Sequence, residues 1–129
     1  KIDRVLVDAP CSGLGTLRRN PDLKWRQSPQ SVDELRAKQA AILASAARLV
    51  KRGGRLVYAT CSLLEEEDEA IALAFTEAHA EDFKPVPAVQ ALSAAHVAQA
   101  DSLVRGDFLR LWPHRHGTDA FFAAVWERN

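Results

Sequence analysis

Arg4-Val5-Leu6-Val7-Asp8-Ala9-Pro10-Cys11-Ser12-Gly13 decides the fold. A short apolar run closes on Asp8 and meets Pro10 and Gly13, which is how a buried strand ends in a loop. The same grammar returns in Arg55-Leu56-Val57-Tyr58-Ala59-Thr60-Cys61-Ser62. Between the two lies a helix signal. Ser31-Val32-Asp33-Glu34 has capping-box spacing, and Leu35, Ile42, Leu43, Ala46, Leu49 and Val50 recur at three-, four- and seven-residue steps, with polar Gln39 the one gap in the stripe. This helix is expected to stop at Gly53-Gly54, where a left-handed cap needs no side chain. The unit is strand, loop, helix, strand, and a crossover helix between apolar strands makes them parallel neighbours in one sheet.

Outward from this unit the pattern is less even. Thr16 to Pro29 mixes Arg18, Arg19, Asn20, Pro21, Asp22, Lys24, Trp25 and Arg26 without a period, an ordered loop of basic charge. The acidic run Glu65 to Glu69 is expected to open a second helix carrying Ile71, Leu73, Ala74 and Phe75, its charges suiting the helix dipole. Lys84 to Phe108 has weak periodicity and is expected to be a variable surface segment. Leu109-Arg110-Leu111-Trp112 and Phe121 to Trp126 predict two strands of a closing hairpin. The fold class expected is α/β, a mainly parallel sheet with that antiparallel hairpin at its end.

Composition bounds the function. The chain has 129 residues, 47% of them hydrophobic, which suits one compact domain or a large part of one. Its 17 basic and 17 acidic side chains cancel, so no global field draws it to nucleic acid or an anionic membrane, and any polyanion contact is local. No apolar run approaches the roughly 20 residues of a membrane span, and with no basic, then apolar, then small-residue pattern in the opening residues an unprocessed protein is expected. Two cysteines without a Cys-x-x-Cys element or matching histidines support neither a disulfide scaffold nor a metal site, and reduced thiols in a cytoplasm are expected.

Ligands of open α/β sheets collect outside the carboxyl ends of parallel strands, and here those ends carry Asp8 to Gly13 and Thr60-Cys61-Ser62. Strands about 4.8 Å apart can bring both sulfurs to one small ligand. The alternatives are two small buried hydrophobes or a disulfide.

These residues resemble a family. Asp8-Ala9-Pro10-Cys11-Ser12-Gly13 followed by Thr60-Cys61-Ser62 is similar to the paired cysteine motifs of the RsmB/Sun-type RNA cytosine-5 methyltransferases, which use S-adenosylmethionine. The likeness extends through Arg18 to Trp25, the Gly53 to Ala59 approach to Cys61, Glu66-Glu67, Arg110 to His114 and Thr118 to Phe122. Three positions depart from it: Glu65, Asp68 and Ala120 stand where the family commonly has proline, asparagine and glycine.

The resemblance implies the C-terminal half of a Rossmann-like methyltransferase domain over residues 1–129, with the family's Gly-rich cofactor loop upstream. It implies Cys61 as the nucleophile, Cys11 as the residue that assists release, and Asp8 beside the base and the cofactor. Pro10 would shape the base pocket and touch the cofactor. Arg18, Arg19, Lys24, Arg26, Arg110 and Arg115 either meet RNA phosphates or are simply solvated. Trp25 stacks on a base or anchors its loop. The expected partner is RNA, ribosomal by preference, with no membrane and no metal. The alternative from another class is a non-catalytic RNA-binding module that retains the fold.

Overall fold

The first apolar run forms strand β1, Ile2–Asp8, and the second forms β2, Val50–Thr60, paired in parallel with Val5 opposite Leu56 and Val7 opposite Tyr58. In this computed structural model residues 2–11, 29–62, 64–96, 100–111 and 120–129 are described. Helix α1, Pro29–Ala47, makes the crossover between the two strands and packs on both.

The helix ends earlier than the glycine pair suggests. Arg48 and Leu49 turn, and Val50, fully buried, already belongs to β2. Gly53 and Gly54 serve the strand instead. Pairing jumps from Ile2–Val50 to Arg4–Arg55, so β2 carries extra residues in a bulge, with Gly53 at φ +78°. A Cβ on Gly54 would lie 2.7 Å from the Asp3 carbonyl oxygen and 2.9 Å from that of Lys51, so the close approach of backbone excludes a side chain there.

Glu65 to Asp68 form a turn, and helix α2, Glu69–Ala78, begins only at the last residue of the acidic run. The segment expected to be a variable surface stretch holds several short elements. β3, Phe83–Val86, opens just before it, followed by helix α3, Ala88–Ala94, a 3-10 turn at Ala100–Leu103, β4, Val104–Arg105, and β5 beginning at Phe108. Elements this short leave no period to detect. β5, Phe108–Leu111, and β6, Phe121–Arg128, then make the antiparallel closing pair.

The sheet is mixed, in the order β1-β2-β6-β5-β4. Only β1 and β2 are parallel among the described strands; β6 runs antiparallel to β2, with Tyr58 opposite Ala124 and Thr60 opposite Phe122. The other edge of β6 is shared: β5 pairs with Phe121 to Ala123 and β3 with Val125 to Arg128. Pro85 sits in that short outer strand, where a missing N–H is tolerated.

Helices α1 and α2 pack together over one face of the sheet. The core there joins Leu43 and Ala46 of α1, Ile71 and Phe75 of α2, Leu56 and Tyr58 of β2, and Phe122 and Trp126 of β6. Trp126 is 4.8 Å from Phe75 between ring centroids and donates its indole N–H to the Thr76 hydroxyl at 2.9 Å, so its one polar group is satisfied inside. The β1 end of the opposite face is open: Ile2 is 48% and Leu6 67% exposed. No described helix is long and apolar enough to cross a membrane.

Candidate active site at the ends of the parallel strands

Asp8 lies opposite Ala59 in the β1–β2 register, and the Ala9 N–H still donates to the Ala59 carbonyl at 2.9 Å. The two chains therefore leave the sheet at one level. Three residues after Asp8 comes Cys11, two after Ala59 comes Cys61, and their sulfurs are 3.4 Å apart. Neither forms a disulfide, and both are half-buried. The hydrogen bond from Cys11 is the main influence holding the Cys61 pKa down to about 7, against burial and the negative charges of Asp8 and Glu67. A thiol so placed is substantially thiolate at neutral pH, the state in which sulfur is a nucleophile.

A chain of buried hydrogen bonds holds the two cysteine loops. Gln39 of α1, fully buried, donates both amide hydrogens, to the Pro10 carbonyl at 2.8 Å and to Glu67 Oε2 at 2.8 Å. Glu67 Oε1 accepts from the Ser62 hydroxyl at 2.6 Å, and the Ser62 oxygen accepts the Leu64 N–H at 3.0 Å. The Glu67 backbone carbonyl takes the Tyr58 hydroxyl at 2.6 Å. Burial and the Asp68 and Glu67 charges push the Tyr58 pKa up, so that phenol stays a donor. The amide oxygen of Gln39 is buried without a hydrogen-bond partner among the described residues.

Beside this chain lies a second cluster. Asp68, also fully buried, accepts from the Thr60 hydroxyl and from Arg110 Nη1, the latter at 2.7 Å. Arg110 reaches Glu69 with its other amino group and donates to the Ser62 carbonyl at 3.2 Å. Burial pushes the Asp68 pKa up to about 7, against the downward pull of Thr60 and Arg110.

This corrects the expectation for Arg110. Its side chain is 1% exposed, lies 4.9 Å from the Phe122 ring centroid and is ion-paired to Asp68 and Glu69, so it cannot meet a phosphate at the surface. It ties the β5–β6 pair to the Cys61 loop instead. Arg18, Arg19, Lys24, Arg26 and Arg115, with Trp25, fall outside the described residues.

Gln39, Ser62, Glu67 and Asp68 were not singled out as site residues from the sequence. The one available signal was Gln39 interrupting an apolar stripe. The buried face of α1 in fact runs through Gln39, Leu43, Ala46 and Ala47, while Ile42 and Leu49 are 40% and 50% exposed. The acidic run gave a helix signal that masked two buried carboxyls.

Asp8 and Pro10 are exposed at the mouth of the site. An exposed carboxylate at the open end of a parallel strand pair suits a cationic group such as a sulfonium or an ammonium, so these residues fit the share of an S-adenosylmethionine site that this chain would contribute.

A parallel strand pair with a crossover helix, closed by antiparallel strands and carrying two adjacent thiols at its carboxyl ends, defines part of a Rossmann-like α/β fold. The family model described as 16S rRNA methyltransferase RsmB/F matches residues 1–127, and the chain belongs to that family. It is 46% identical over 123 residues to the probable ribosomal RNA small subunit methyltransferase B of Synechocystis, covering 95% of this chain and 26% of that protein. The solved structure of PH0851 superposes with a TM-score of 0.81 at 39% identity, covering 97% of this chain and 26% of that one. NSun6 from Pyrococcus horikoshii, solved with SFG, matches with a TM-score of 0.68 at 27% identity over 95% of this chain and 29% of its own. The chain thus spans about a quarter of the length of the relatives it matches.

Proposed function

We propose that the protein carrying this chain transfers a methyl group from S-adenosylmethionine to carbon 5 of a cytosine in ribosomal RNA, through a covalent bond between Cys61 and the base. The observation that carries this reading is the sulfur pair, 3.4 Å apart at the carboxyl ends of two parallel strands, with the Cys61 pKa held down to about 7. Membership of the RsmB/F family supports the substrate class. On this reading the protein works in the cytoplasm, where thiols stay reduced.

Carbon 5 of cytosine is too weak a nucleophile to take a methyl group unaided. The Cys61 thiolate adds to carbon 6, and the displaced electron pair of the 5,6 double bond makes carbon 5 nucleophilic. Asp8, at the mouth of the site, hydrogen-bonds the N3 and N4 edge and stabilises the charge that develops as the ring is activated. S-adenosylmethionine supplies an electrophilic methyl when bound, and Asp8 and Pro10 would form its near wall. Once carbon 5 is methylated, its proton leaves, the electron pair reforms the double bond, and Cys61 departs as thiolate. Cys11, in contact with that sulfur, assists the departure.

The test uses the full-length protein with its RNA. Cys61→Ala is expected to abolish methyl transfer and any RNA–protein adduct that survives a denaturing gel. Cys11→Ala is expected to leave such an adduct in place. Equal adduct yields from the two variants would reverse or remove the roles given to them, and methyl transfer by Cys61→Ala would refute the covalent route.

A further inference from the structure

We infer that Gln39 is a positioning residue: its amide, bridging the Pro10 carbonyl and the Glu67 carboxylate, sets where Cys11 stands relative to Cys61. The inference rests on the covalent reading above and deepens it. Cys11 directly follows Pro10, and Ser62, the far anchor of Glu67, directly follows Cys61. The path from Pro10 carbonyl to Gln39 to Glu67 to Ser62 hydroxyl therefore links the two catalytic loops through links of 2.8, 2.8 and 2.6 Å.

Three observations make this a dedicated device. The position is fully buried on a helix face otherwise filled by Leu43, Ala46 and Ala47, where an apolar side chain would pack without needing partners. The amide also has only one workable orientation. Both neighbours are acceptor oxygens, so only the NH2 group can face them, and the amide oxygen is left buried without a partner among the described residues. The link to Pro10 spans 29 residues and joins α1 to a backbone carbonyl beside Cys11, so the contact fixes backbone position there.

A residue acting through Cys11 predicts a particular imbalance. When the Pro10 loop loses its anchor, Cys11 drifts from the Cys61 sulfur. Departure of Cys61 from the methylated base then suffers more than its attack. In the full-length enzyme with RNA and S-adenosylmethionine, Gln39→Leu is expected to lower turnover about ten- to a hundredfold, the scale of a small displacement of a reacting group. The ratio of trapped adduct to methylated product should rise toward that of Cys11→Ala. The pH at which Cys61 is half-alkylated by iodoacetamide should move up from about 7, because the contact that lowers it is weakened.

A second variant guards against simple misfolding. Gln39→Glu combined with Glu67→Gln exchanges donor and acceptor within the buried pair. The amide at position 67 now donates to the carboxylate at position 39, and its oxygen still accepts from Ser62. The carboxylate at position 39 then sets an oxygen against the Pro10 carbonyl, so that hydrogen bond is replaced by repulsion and this double variant should reproduce the raised adduct ratio. If adduct and product fall in proportion, or both variants keep the parental ratio, Gln39 does not position Cys11. Cys61→Ala and Cys11→Ala run beside them. Should Cys61→Ala still trap RNA, the covalent reading fails and takes this inference with it; with those controls as expected, a parental ratio sinks the inference alone.

Discussion

Asp68 stands where the resembled family commonly has asparagine, and the acid brings a pH dependence that an amide would not. Burial raises its pKa from the ordinary 3.8 to about 7, so the fold favours the protonated form. The unfolded chain releases that proton near pH 4 and the folded one near pH 7, so stability is lost as pH climbs through that window, by an amount on the order of a few kcal/mol. Asp68→Asn removes this slope, while Glu69 still offers Arg110 a counter-charge. Thermal melts of the full-length protein should show the variant gaining on the parent steadily from pH 5 to 7.5; a gap that stays constant across that range would show that Asp68 is ionised throughout. The cysteines were legible from the sequence because both end apolar strands. Glu67 and Asp68 were hidden because acids before a helix usually face water, and only tertiary partners (Gln39, Ser62, Thr60 and Arg110) make burial possible here.

Among the elements, β5 shows most clearly how context overrides residue type. An arginine in a strand near a proposed RNA site suggests a phosphate contact, but alternation along Phe108–Leu111 turns Arg110 inward onto two carboxylates. Above pH 7, where Asp68 is ionised, Arg110→Ala is expected to destabilise the fold by about 3–5 kcal/mol, the cost of stranding a buried counter-charge. Arg110→Lys keeps the charge, loses the two-pronged geometry and should fall between. Neither should alter the salt dependence of RNA binding by molecules that remain folded; a drop of about 0.7–0.9 in the slope of log affinity against log salt would restore a phosphate contact. The strands of the crossover unit were legible as apolar runs, and its helix because its period runs long enough to count. The end of α1 was not, since Gly53-Gly54 offers the same signal whether it caps a helix or fills a bulge, and only the Asp3 and Lys51 carbonyls decide between them.

For the molecule as a whole, zero net charge meets an uneven surface. One face of the sheet is covered by α1 and α2, while Leu6 and Ile2 stay exposed at the β1 end of the other. Near its pI of about 7.1 the chain has little charge to keep copies apart. Produced by itself, it is expected to self-associate at neutral pH, and Leu6→Lys should shift it toward monomer in sedimentation runs by adding charge to the open face. A monodisperse parent at that pH would mean the face is not adhesive. The α/β class was legible because crossover connections impose it. The balance of parallel and antiparallel pairing was not, because Phe121 to Trp126 has the same alternation whichever way its neighbour runs.

The divided outer edge of β6 also brackets one further stretch of chain. Between β3 and β5 the chain makes a detour whose two ends are stitched together by the Ala88 N–H and the Asp107 carbonyl at 2.8 Å. Because its entry and exit are already joined, lengthening a turn within the detour adds little loop-closure cost. Exposed His96 within it is a graft point where a label or a foreign peptide could be spliced in while the paired sulfurs kept their spacing.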